Sequence, residues 1–155
     1  MPYLIARIFR IECGHIISKH PDKCRFPHGH SHRVEVVLAA DTLDANDMVC
    51  DFKAVKQMLH DFLDSWDHAL CLNTDDPNYA FFSQHYGKRL VPFPKTDPTS
   101  EVMARTIFRE LQRTIAAAQR NAATQYPVQP GVRVERVRVT ETETSWAEYS
   151  ESGTT

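Results

Sequence analysis

Alternating patterns of period two occupy both ends of this chain and helical patterns occupy its middle, and that segregation limits the fold more than any single residue does. Tyr3 to Gly14 reads as a strand, with Phe9, Ile11 and Cys13 on one side and Arg10 and Glu12 on the other. His32 to Asp41 reads as a second strand, with Val34, Val36 and Leu38 on one face. After the turn Asp44-Ala45-Asn46-Asp47, Asp51 is placed to cap a helix whose apolar stripe runs Phe52, Val55, Leu59, Phe62, Trp66. Residues 74–97 hold three prolines and a glycine and read as a long loop. Pro98-Thr99-Ser100-Glu101 opens a second helix, with Thr99 as its cap and Val102, Ile107, Leu111 and Ile115 along it. Val134 to Thr142 and Ser145 to Ser150 close the chain as two more strands.

The order β-β-α-α-β-β predicts one α+β domain over residues 1–155, a four-stranded antiparallel sheet with two helices on one face. Such a sheet has two open edges, so copies of the chain are expected to pair through them. A net charge of −2 argues against a nucleic-acid surface. Charge at Arg7 interrupts the N-terminus too early for a secretory signal, and no apolar run reaches the roughly 18 residues of a membrane span. Cys13, Cys24, Cys50 and Cys71 form no C-x-x-C pair, and a reducing cytoplasmic setting is expected.

Five of the eight histidines fall between residues 15 and 32. In an extended His28-Gly29-His30, both imidazoles point the same way and can reach one ion. His15, across the hairpin, can supply a third nitrogen, and three histidines with an open fourth position are the pattern of a catalytic zinc. His32 shares the parity of His28 and His30, so spacing alone leaves it open as the third ligand. Cys24 lies between Lys23 and Arg25, whose charges favour a thiolate that could serve as base or nucleophile; an inert buried thiol is the plainer alternative. In Asp67-His68 a carboxylate can fix the tautomer of a proton-transferring imidazole, though such pairs also occur by chance at helix ends. Glu141 shares its parity with Val137 and Val139, and a carboxylate on an apolar face needs a partner, such as the N–H donors of a heterocycle, unless the strand frays there.

Together, Cys24-x-x-x-His28-Gly29-His30, His15, Asp51-Phe52, Asp67-His68 with Leu72-Asn73, Pro98-Thr99-Ser100-Glu101 and Glu141-Thr142 resemble the 6-pyruvoyl-tetrahydropterin synthase superfamily, which includes bacterial 6-carboxy-tetrahydropterin synthases. The match runs over about residues 5–148. The resemblance implies the tunnelling fold, in which subunits join sheets into a barrel, commonly a hexamer of two stacked trimers with active sites at the interfaces. It implies Zn2+ on His15, His28 and His30, proton transfer by Cys24, Asp67 and His68, and a pterin ring anchored by Glu141 near Thr99 and Ser100. The implied substrate is 7,8-dihydroneopterin triphosphate. Retro-aldol cleavage would release acetaldehyde and leave the 6-carboxy product, a precursor of queuosine-type 7-deazapurines; elimination of triphosphate would give the 6-pyruvoyl product of biopterin synthesis. A metal-binding protein on the same scaffold without turnover is a third reading, against which the joint presence of Cys24, Asp67, His68 and Glu141 argues. Two departures stand out: the connection 74–97 is longer than in compact bacterial members, and His32 stands where the family commonly has an aromatic.

Overall fold

The computed structural model describes residues 1–151. A six-stranded sheet carries the molecule. β1 (Tyr3–His15) and β2 (His28–Ala40) pair antiparallel along their whole length, from Tyr3 opposite Ala40 to His15 opposite His28. β2 begins at His28, four residues before the expected start at His32, so the His-x-His segment is itself strand. β5 (Arg133–Thr142) joins the free side of β2, and β6 (Ser145–Tyr149) joins β5, both antiparallel.

The sheet is larger than the sequence pattern suggests, and it is mixed rather than antiparallel. β3 (Leu70–Asn73) runs parallel to the end of β1, and β4 (Leu90–Phe93) runs parallel to β3. The strand order is β4-β3-β1-β2-β5-β6. Residues 74–97 are accordingly not one loop: they hold α2 (Tyr79–Tyr86) as well as β4. Four-residue strands are too short to show a period, and Pro92 argues against a central strand. It is tolerated because β4 is an edge. α2 buries none of its residues fully, so it carries no clear apolar stripe for a sequence reading to find.

α1 (Phe52–Asp64) and α3 (Ser100–Gln119) begin where the caps predict. The Asp51 side chain accepts from the Lys53 amide and the Thr99 hydroxyl from the Val102 amide. Ala54, Val55, Leu59 and Leu63 of α1, and Met103, Ile107, Phe108 and Leu111 of α3, are buried against Ile11, Cys13, Val34, Val36, Leu38, Val137 and Val139 of the sheet. Each fully buried large side chain there stabilises the fold by about 1.5–3 kcal/mol. The opposite sheet face is left open, with Leu4 and Ile8 of β1 exposed. No helix among the described residues is long and apolar enough to cross a membrane.

Candidate metal and pterin site

The apolar face of the sheet turns polar at one end. Ile11, Cys13 and His15 follow one another on β1, and Val34, His32, His30 and His28 on β2. Alternation and register therefore deliver four imidazoles to one patch. His15 packs against His28, His30 and His32 with ring centroids 4.5, 5.1 and 5.9 Å away. His15, His28 and His30 each offer a nitrogen such that all three atoms lie within 4.8 Å of one another.

Hydrogen bonds decide which nitrogens are free. His15 Nδ1 lies 2.9 Å from the Pro98 carbonyl and His28 Nδ1 lies 2.7 Å from that of Phe26. A carbonyl only accepts, so both Nδ1 atoms carry the proton and both Nε2 atoms present lone pairs. Those two lone pairs face each other across 3.0 Å. Tetrahedral zinc, with bonds of about 2.0–2.1 Å, holds two ligand nitrogens roughly 3.3 Å apart. His30 Nε2 is buried and lies 3.0 Å from Glu141 Oε1, but the pair is not aligned for a hydrogen bond, so this nitrogen has no partner. Facing lone pairs and an orphaned buried nitrogen are what a cation would satisfy, and the three residues fit a metal ion. Burial, only partly offset by the Pro98 hydrogen bond, pushes the His15 imidazole down to about 4. Burial likewise lowers that of His30, against the pull of Glu141. Both are thus neutral, the ligating form, at neutral pH.

Glu141 lies beside this cluster, at an irregularity in the β5–β6 pairing. The strand does not fray there: Ser100 Oγ donates to Glu141 Oε2 at 2.5 Å, tying β5 to the first turn of α3. Burial works to raise the carboxyl, but the Ser100 hydrogen bond and the neighbouring histidines outweigh it and hold Glu141 ionised below its ordinary range. Thr99, half-buried, spends its hydroxyl on capping α3. His32 is fully buried, with Nδ1 3.3 Å from Cys13 Sγ, and sits outside the metal-capable triad.

Cys24 occupies a short 3-10 turn, Lys23–Arg25, in the β1–β2 connection, anchored by its carbonyl accepting from Ile17 N at 2.9 Å. Among the described residues, no hydrogen bond joins its sulfur to the histidines.

Asp67 and His68 are held together by their own hydrogen bonds, with none to the triad among the described residues. His68 Nδ1 lies 2.7 Å from Asp67 Oδ2, while Asp67 Oδ1 accepts from Glu12 N at 2.7 Å. His68 N in turn donates to the Glu12 carbonyl at 2.6 Å, with His68 at a positive φ of 56°. Histidine is among the residues that tolerate this region. The Glu12 amide bond, and then the His68 hydrogen bond, hold the Asp67 carboxyl below its usual range. His68 lines a cavity of about 340 Å³ with Glu12, Cys13, Gly14, Gly29, His30, Ser31 and Ala69. By alternation Glu12, Gly14, Gly29 and Ser31 lie on the sheet face opposite the His15 and His28 side chains, while His30 borders the cavity as well. Gly14 and Gly29, paired across the hairpin, leave the cavity floor without side chains. Glu12, bonded to Ser31 Oγ, and the Pro98 carbonyl are parts of the arrangement that the sequence reading missed.

Fold and site thus define an α+β domain with a metal-capable histidine cluster and an adjacent ionised carboxylate. Residues 4–152 match the family model described as 6-pyruvoyl tetrahydropterin synthase, and the chain belongs to that family. A 6-carboxy-5,6,7,8-tetrahydropterin synthase of Aquifex aeolicus is 30% identical over 169 residues, covering 97% of this chain and 99% of that protein. Among solved structures, an uncharacterised protein of Wolinella succinogenes superposes with a TM-score of 0.77 at 24% identity, covering 98% and 99% of the two chains. Caenorhabditis elegans 6-pyruvoyl tetrahydropterin synthase superposes at 0.65 with 21% identity, covering 98% and 97%.

Proposed function

We propose that this chain is a zinc-dependent 6-carboxy-5,6,7,8-tetrahydropterin synthase, a lyase that converts 7,8-dihydroneopterin triphosphate with release of acetaldehyde and triphosphate and supplies queuosine-type 7-deazapurine synthesis. The observation that carries this reading is the His15, His28, His30 cluster with the Glu141–Ser100 pair beside it, in a chain alignable from end to end with a protein of that name. Zinc, when bound to the three histidines, supplies Lewis-acid polarisation of the substrate's side-chain hydroxyls.

The remaining work falls to this chain's own groups. Glu141, ionised and oriented by Ser100, accepts the N–H donors of the pterin ring, with Thr99 holding the start of α3 beside it. Cys24 takes a proton from the side chain. Asp67 keeps the proton of His68 on Nδ1, which leaves Nε2 free to accept and return one. A positioned base of this kind is worth about 10²–10⁴ in rate. The open sheet edges at β4 and β6, and the exposed Leu4 and Ile8, support assembly, and we place the active oligomer as a hexamer of two trimers closing a barrel. Four cysteines without a disulfide suit a cytoplasmic enzyme.

The test is to incubate zinc-loaded protein with 7,8-dihydroneopterin triphosphate and identify the products by mass. Acetaldehyde together with a 6-carboxy pterin is expected. A 6-pyruvoyl product would move the chain to the other activity of its family, and no turnover at full zinc occupancy would overturn the enzymatic reading.

A further inference from the structure

The described residues bury five polar or charged side chains: His15, His32, Asn73, Asp97 and Ser100. Asp97 has no part in the chemistry above, yet the residue is only 6% exposed and no lysine or arginine side chain pairs with it among the described residues. Burying an ionised group without a counter-charge is costly unless hydrogen bonds satisfy it. Here they do. Asp97 Oδ1 accepts from Asn73 Nδ2 at 2.9 Å, and Oδ2 accepts from the Lys19 amide at 2.8 Å. The Asp97 carbonyl takes the Thr99 amide at 2.9 Å. Asn73 is itself fixed, its Oδ1 accepting from the Asp75 amide at 2.8 Å.

Three segments therefore meet on one carboxylate: the chain just after β1, the end of β3 and the entry to α3. The contact between His15 Nδ1 and the Pro98 carbonyl lies between them, since Pro98 follows Asp97 directly and Lys19 comes shortly after His15. We propose that Asp97 is a positioning residue of the metal centre, clamping both sides of the His15–Pro98 hydrogen bond so that His15 keeps its ring orientation and its Nε2 lone pair toward the ion. Groups that orient a ligating histidine through its second nitrogen are typically worth 10–100-fold in metal affinity.

This inference rests on the metal reading above, and cobalt(II) as the probe separates the two. Wild-type protein is expected to bind cobalt with the visible spectrum of a tetrahedral nitrogen site; failure to bind either cobalt or zinc overturns the metal reading itself. Given wild-type binding, Asp97→Ala and Asn73→Ala should each weaken cobalt affinity, about 10–100-fold for Asp97→Ala, and shift the visible bands. Asp97→Asn keeps one acceptor and should lose less. If Asp97→Ala does not fold, Asn73→Ala and Asp97→Asn carry the comparison. Wild-type affinity and an unchanged spectrum in the folded variants, even with a lowered melting temperature, reduce Asp97 to a merely structural residue and overturn the proposal.

Discussion

His15 makes the metal-free protein acid-sensitive by an amount that can be worked out. Burial holds its imidazole at about 4, against 6.5 for an exposed histidine. Between those values the unfolded chain binds a proton that the native chain refuses. The unfolded state is then the more protonated one, so stability rises with pH through the window and falls as the pH drops from about 6.5 to about 4. At 1.36 kcal/mol per pH unit, the loss attributable to this one group is about 3 kcal/mol. For a chain of this size, that is roughly 6–12 °C in melting temperature. The assay is denaturation in chelator at several pH values from 7 to 4, on wild type and on His15→Gln. Asp67 titrates in both proteins and largely cancels in the difference, whereas His30 and Glu141 are coupled to His15, so the difference reads His15 together with that coupling. The wild type should lose about 3 kcal/mol more than His15→Gln over this range, whatever their relative stabilities at pH 7. Parallel pH curves for the two proteins would refute the reasoning, because a buried, proton-refusing His15 is then not present in the native state.

His28→Ala and His30→Ala should each drop zinc below about 0.2 equivalents per chain, because a three-ligand site has no spare, whereas His32→Ala should retain it; metal analysis of purified protein decides. Glu141→Gln should leave zinc in place and weaken pterin binding about 10–100-fold, the worth of a charged hydrogen bond, as read by fluorescence titration with a reduced pterin. Cys24→Ala should keep zinc and pterin but lose turnover by about 10²–10⁴, and near-normal turnover with zinc bound would shift the base to His68.

Much of the site could be read in the sequence because strand parity is a strong constraint. Once His28-Gly29-His30 is strand, both rings must share a face, and the same rule put Glu141 inward with Val137 and Val139. The caps Asp51 and Thr99 were legible for a similar reason, since capping is a local interaction. What escaped is non-local or made by backbone. β3 and β4 are held by parallel pairing across intervening helices, and four residues carry no period. The Pro98 carbonyl reaches His15 from 83 positions away, and no side-chain pattern announces a carbonyl. Asp67-His68 was recognisable as a pair, but its docking on the Glu12 main chain, and hence the face it serves, depends on where α1 ends relative to β1.

That docking has a consequence for the proposed enzyme. His68 opens into the cavity over the Gly14–Gly29 pair, which His30 also borders, while the His15 and His28 rings lie on the other face of the same strands. We propose that the Asp67–His68 pair acting with a given triad comes from a second copy of the chain, which a heterologous interface supplies. Complementation tests this directly. Cys24→Ala and His68→Ala are each expected to be inactive alone. Unfolded, mixed in equal amounts and reassembled at random, they should regain about a quarter of wild-type activity, the chance that a site draws an intact Cys24 from one chain and an intact His68 from its neighbour. If each site were built within one chain, every site in the mixture would still lack one of the two groups and no activity would return. Zinc content and oligomer mass, measured on the same mixture, must match wild type for the comparison to hold. Silence under those conditions would place His68 outside the reaction or within the same chain's site, and either result contradicts a centre divided between copies.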